Sequence, residues 1–182
     1  MTTTLLENEV NNLKTIINKL SIAAFDLSND LGVEKKNINI LFYISDDLIN
    51  NDVSQIIKNI NENNFFVIDK ITTKSDKEEL LSKTQKSDVI ISVIFTTNKS
   101  NFDDKISNFI QKINENDLNK LFIITINNSS FTETYYKHND IDIFIIKITS
   151  DLYKKDRPKS AALYTKNIIE KIKYINFIKD FM

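Results

Sequence analysis

The chain has 182 residues, 41% of them hydrophobic and 27% charged, which is enough for one well-buried core and short for two. A net charge of −1 offers no basic field to draw in nucleic acid or an anionic membrane. The absence of cysteine removes disulfide frameworks, thiolate nucleophiles and zinc-finger patterns, and suits a reducing compartment.

The first predicted element is a helix over residues 4–31. Leu6, Val10, Leu13, Ile17, Leu20, Ala24, Leu27 and Leu31 alternate steps of four and three, an a/d seam that calls for an apolar partner. Ile16, Ala23 and Phe25 widen the stripe, so one side can pack on the chain's own domain and another on a second subunit. Gly32, the only glycine, follows where a helix end most often needs a residue tolerant of the left-handed conformation. Residues 1–33 are therefore read as an amphipathic dimerisation or docking helix, with Leu6, Val10, Leu13, Ile17, Leu20 and Leu27 as interface candidates, and residues 34–182 as an α/β domain.

From Asn37 onward, five runs rich in Ile, Val and Phe (38–44, 65–71, 89–95, 121–126 and 141–148) alternate with helix-like segments. The runs are nearly continuous rather than alternating, as in strands covered on both faces. Helices are expected around Val53, Ile56, Ile57 and Ile60, around Leu80 and Leu81, and over Phe102, Ile106, Phe109, Ile110 and Ile113. Ser75 with Glu78, and Ser100 with Asp103, stand at capping-box spacing before the second and third of these. Residues 127–140 read as irregular or weakly helical, and a last helix should run from about 158 to 180 with Pro158 in its first turn. The expected fold is an α/β three-layer sandwich with a five-stranded parallel sheet in the flavodoxin-like order 2-1-3-4-5, plus the long amino-terminal helix.

Ligands in such sheets bind beyond the carboxyl ends of the strands. There the sequence places Asp46 and Asp47 after the first strand, Thr125 in the fourth and Lys147 in the fifth, which together are the ligand-binding candidates. The two carboxylates are the one candidate metal site: they could hold Mg²⁺ through oxygen, or instead cap and face the positive end of the following helix. No other cofactor is expected. Glycine-built phosphate loops are missing after every strand, which excludes Walker and Rossmann turns. His138 lies among Tyr135, Tyr136, Lys137 and Asp140 with no positioned catalytic partner evident and reads as a surface histidine. Arg157 is the only arginine, which limits bidentate anion clamps.

The stretch from Ile38 to Ile178 resembles a response-regulator receiver domain. Asp46 and Asp47 match the family's acidic pair, Thr125 its hydroxyl residue and Lys147 its lysine. The phospho-accepting aspartate does not match: its position falls on Ile91, Ser92 or Val93, and Asp88 lies at the amino end of that strand. The resemblance therefore implies a degenerate receiver. A second resemblance, to TIR domains, rests on Ile40-Leu41-Phe42-Tyr43-Ile44-Ser45 and on Ser87-Asp88-Val89-Ile90-Ile91-Ser92-Val93. The glutamate of the NAD-cleaving members is missing from Ser100 to Ile106, where Asp103 and Asp104 are displaced from its place.

The expectation is a non-catalytic regulatory or protein-interaction domain, cytoplasmic, with a protein partner or a homodimer through the first helix, and with neither nucleic acid nor membrane as partner. The first twenty residues lack a leader pattern and no apolar run approaches the roughly 20 residues of a membrane span. The alternative is a Mg²⁺-dependent or nucleotide-related sensor or enzyme using the carboxyl edge of the sheet.

Overall fold

A computed structural model describes residues 2–30, 37–45, 51–96, 98–127, 133–149 and 156–178. In chain order these form α1 (Thr2–Asp30), β1 (Ile38–Ile44), α2 (Asn51–Asn61), β2 (Phe66–Thr72), α3 (Lys77–Lys86), β3 (Val89–Thr96), α4 (Lys99–Ile110), a 3₁₀ segment (Glu115–Lys120), β4 (Leu121–Asn127), β5 (Tyr135–His138), β6 (Ile141–Thr149) and α5 (Arg157–Ile178).

The apolar runs become strands because each buries both faces. Ile40, Phe42, Ile91, Val93, Phe122 and Ile124 belong to a core shared with α2 and α5. Their alternate neighbours Leu41, Tyr43, Ile90, Ile94, Ile123 and Ile145 belong to a second core shared with α3 and α4. The fold is thus α/β with helices on both faces of the sheet, as the unbroken apolar runs require.

The sheet itself departs from the expected one. Among the described residues it has six strands in the order β2-β1-β3-β4-β6-β5, and it is mixed rather than all parallel. The five expected runs are all present and pair in parallel. The sixth strand, β5, pairs antiparallel with β6 at the edge, inside the stretch expected to be irregular or weakly helical. Its register sets Lys137 opposite Asp142 and Tyr135 opposite Phe144, whose rings lie 4.7 Å apart. Cross-strand pairs of this kind stabilise short ribbons. The two-residue connection contains Asn139 at φ 52°, a left-handed conformation that asparagine tolerates in the absence of glycine.

Two caps also differ from expectation. Asp76, not Ser75, caps α3 by accepting a hydrogen bond from the Glu79 amide at 2.7 Å, and Asn98, not Ser100, caps α4 through the Asn101 amide at 2.9 Å. The cap of α3 thus stands one residue after, and that of α4 two residues before, the residue the spacing favours. Replacing Asp76 with Ala should cost about 1 kcal/mol, read as a lowered denaturant midpoint with unchanged slope.

Helix α1 packs along α5. Its inward residues are Lys14, Asn18, Ser21, Ile22, Ala24 and Phe25, an even mix of polar and apolar side chains. Phe25 meets the ring of Phe65 edge-on at 6.2 Å, and Asp26 pairs with Lys173, whose ammonium also lies 4.9 Å from the centre of the Phe25 ring. Lys14 sits 4.0 Å from Asp142 and 5.2 Å from the centre of the Tyr135 ring. The seam residues Leu6, Val10, Leu13, Ile17, Leu20 and Leu27 face away from the domain and are 41 to 63% exposed. No helix among the described residues is long and apolar enough to cross a membrane.

Candidate functional site at the carboxyl edge of the sheet

The register of the sheet decides which expected site residues meet. Thr125 on β4 pairs directly with Lys147 on β6, and Thr125 pairs on its other side with Ile94 of β3. By alternation both polar side chains share the α4 face with Ile123 and Ile145. Thr125 is fully buried, whereas Lys147 is half-buried. Asp46 and Asp47 lie outside the described residues, so the expected carboxylate pair and its Mg²⁺ site have no geometry to add. Among the described residues no group of three or more His, Asp or Glu side chains is placed to hold a metal ion.

The position of the receiver phospho-acceptor resolves into two faces. Ile91 and Val93 point into the core against α2 and α5. Ser92 points the other way, between Tyr43 of β1 and Ile123 of β4. Asp88 is occupied elsewhere, its carboxylate accepting from the backbone amide of Asn39 at 2.9 Å while its own amide donates to the Asn39 carbonyl at 2.8 Å. That carboxylate therefore joins β1 to β3 at their amino ends, on the opposite side of the sheet from any ligand-binding edge.

A cavity of about 370 Å³ opens between β1, β3 and α4. Ser92, Ser45 and Thr73 contribute hydroxyls, and Lys105, Asn108 and Lys112 project from α4 and the turn after it. The rings of Tyr43 and Phe109, 4.3 Å apart, close one wall. Lys105 is held over the carboxyl end of β3 by donating to the Phe95 carbonyl at 2.9 Å. Among the described residues the lining contains no acidic side chain.

Two hydroxyls on this face are unusual. Ser92 Oγ and Thr125 Oγ1 are both fully buried and have no hydrogen-bond partner among the described residues. An unsatisfied buried hydroxyl costs about 1–3 kcal/mol. Valine has nearly the shape of threonine, so Thr125→Val should raise stability by about 1 kcal/mol, seen as a melting temperature about 2–4 °C higher.

Lys105, Asn108 and Lys112 are not among the residues the sequence singles out, because the pattern over α4 is dominated by its apolar face. A signal was there: these residues stand at i, i+3 and i+7, which places them along one side of a helix. Two further hollows carry less. A groove of about 340 Å³ beside β2 and α3 is crossed by Lys83, whose ammonium bonds Asp69 at 3.1 Å and Glu79 at 3.3 Å. These bonds, that to Asp69 foremost, raise the Lys83 pKa above its ordinary value. Another of about 280 Å³ lies at the amino edge by Leu118, Asp140 and Tyr174. In comparisons with known proteins, no protein family, curated protein or solved structure matches this chain.

Proposed function

We propose that the protein is a non-catalytic α/β interaction module of receiver-like architecture, and that α1 joins it to a second copy. The observation that carries this reading is the exposed seam of α1: six large apolar side chains at heptad spacing face solvent while the helix rests on its own domain through a different face that includes Ser21, Ile22 and Phe25. The inner contact is also imperfect, since Asn18 Oδ1 is buried without a hydrogen-bond partner among the described residues. Contiguous exposed apolar surface of this extent marks an interaction site.

The occupant follows from the side chains at each heptad position. Val10 and Ile17 take one core position and Leu6, Leu13, Leu20 and Leu27 the other. β-Branched residues at a with leucine at d favour a parallel pair of helices. The receiver-like part of the reading rests on the parallel strands β2-β1-β3-β4-β6, to which β5 is an edge addition, and on Thr125 beside Lys147. The lack of any acid in Val89–Thr96 favours a binding role over phosphoryl acceptance.

Sedimentation of the whole chain over a range of concentrations tests the module. A reversible monomer–dimer equilibrium is expected, and a monomer at every concentration up to hundreds of micromolar would sink the reading.

A further inference from the structure

We propose that Lys171 is an acylation site: its amine, packed on the rings of Phe144 and Tyr174, takes a small acyl group from a thioester. The side chain reaches from α5 towards β6, whereas the seam of α1 points to solvent, so this site stands or falls independently of the dimer.

Three observations converge. First, the Lys171 ammonium rests on aromatic faces, 3.3 Å from the centre of the Phe144 ring and 4.9 Å from that of Tyr174, and among the described residues no oxygen accepts a hydrogen bond from it. Other half-buried lysines are held by carboxylates: Lys83 by Asp69 and Glu79, Lys120 by Asp117, and Lys173 of the same helix by Asp26. Such partners fix the charged form, whereas an apolar setting favours the neutral amine, which is the nucleophile. Second, the rings form a continuous wall: Tyr174 meets Phe144 edge-on at 5.7 Å, and Tyr135 lies 4.7 Å beyond it. An acyl-lysine is neutral, so acylation removes the desolvated charge and leaves an N–H to rest on the Phe144 face. Third, Lys171 is only partly buried, so its side chain keeps an open side from which a small donor can approach.

In the transfer the neutral amine attacks the thioester carbonyl. The new C–N bond forms as the C–S bond breaks, and the departing thiolate takes up the proton that the amine loses. The acyl end of a thioester is uncharged, as an approach to ring faces requires. Burial lowers the Lys171 pKa to about 8, so at pH 8 about half of it is neutral, against roughly 0.4% of an ordinary lysine. A weaker base is also a weaker nucleophile, by about 16-fold on the slope of about 0.5 known for thiolates. An advantage of about eightfold remains before shielding by the rings is counted. The titratable groups joined to this ring cluster are Tyr174 and Tyr135, with Lys14, Asp142 and Lys137 beyond. Burial raises both phenol pKa values, so the phenols are neutral at pH 8.

The test treats the full chain at pH 8 with S-acetyl-N-acetylcysteamine, at low conversion, and measures acetylation of each lysine by peptide mass spectrometry, both folded and in urea. In the folded chain Lys171 should react about fivefold or more faster than the exposed Lys74, Lys77 and Lys166, and in urea at the same rate as they do. A chain carrying acetyl-lysine at position 171 should melt about 2–6 °C higher than the parent at pH 7. The proposal is overturned if Lys171 reacts less than about twofold faster than those three lysines, if its advantage persists in urea, or if acetyl-lysine at position 171 does not raise the melting temperature. Because the rates are compared within one folded parent chain, a variant that fails to fold cannot imitate the result.

Discussion

A chain carrying Leu13→Glu and Leu20→Glu should sediment as a monomer at concentrations where the parent is dimeric, with an unchanged circular-dichroism spectrum and melting transition of the α/β core. Both side chains are already about three-fifths exposed on the folded chain, so the substitutions remove nothing that holds α1 to α5. Fully burying a Leu, Ile or Val side chain is worth about 1.5–3 kcal/mol, and the seam residues have roughly half of that left to gain, about 1 kcal/mol each. Six per helix and two helices give about 12 kcal/mol, from which an association cost of at least about 4 kcal/mol is subtracted. The remaining ~8 kcal/mol corresponds to a micromolar dissociation constant. Two glutamates per chain remove about a third of the gain and place four carboxylates in an apolar seam, so weakening should exceed about 100-fold. A double variant that dimerises like the parent would show that α1 does not form the interface.

Lys171→Met should stabilise the protein by about 1–2 kcal/mol at neutral pH and flatten its stability between pH 8 and pH 10. Lys171 on α5 is largely buried, with its ammonium 3.3 Å from the centre of the Phe144 ring and 4.9 Å from that of Tyr174. Burial lowers its pKa from 10.5 to about 8. The charged form is thus disfavoured in the folded state, at a cost of about 3 kcal/mol wherever both states are protonated, below pH 8. Cation–π attraction to the two rings offsets about 1–2 kcal/mol. Between the folded value near 8 and the unfolded value near 10.5 the unfolded chain binds more protons, so stability should rise with pH across that window. Above pH 10 the trend should reverse. Burial, aided by Asp142 for Tyr135 and by Tyr135 for Tyr174, raises both phenol pKa values, and their ionisation then favours the unfolded chain. Methionine keeps the unbranched packing on the rings and removes the charge. Urea unfolding of both proteins at pH 7, 8, 9 and 10 checks this, and a parent whose stability does not rise from pH 8 to pH 10 contradicts it.

The α/β alternation was legible because burial on both faces leaves a mark in consecutive residues: β3 from Val89 to Thr96 has seven of its eight residues buried. β5 was illegible for the converse reason. Its four residues, Tyr135 to His138, are partly exposed edge positions, and no apolar run forms where only one face and one neighbour matter. The Asn139–Asp140 turn was the available cue, but such a cue acquires meaning only beside a partner strand.

The candidate site divides in the same way. Thr125 and Lys147 could be named from sequence because each ends or nearly ends an apolar run. That they are direct neighbours follows from register, which no local pattern specifies. The sequence leaves Ile91, Ser92 and Val93 equivalent at the acceptor position, and only the sheet sets Ser92 on the α4 face, lining the same cavity as Lys105. The sequence by itself determined the existence of the strands and the seam on α1, because spacing records which residues avoid water. Only the tertiary structure decided that the seam points outward and that an unsatisfied serine meets lysines across a cavity. Those are relations between elements far apart in the chain, settled by how two faces of one sheet are covered.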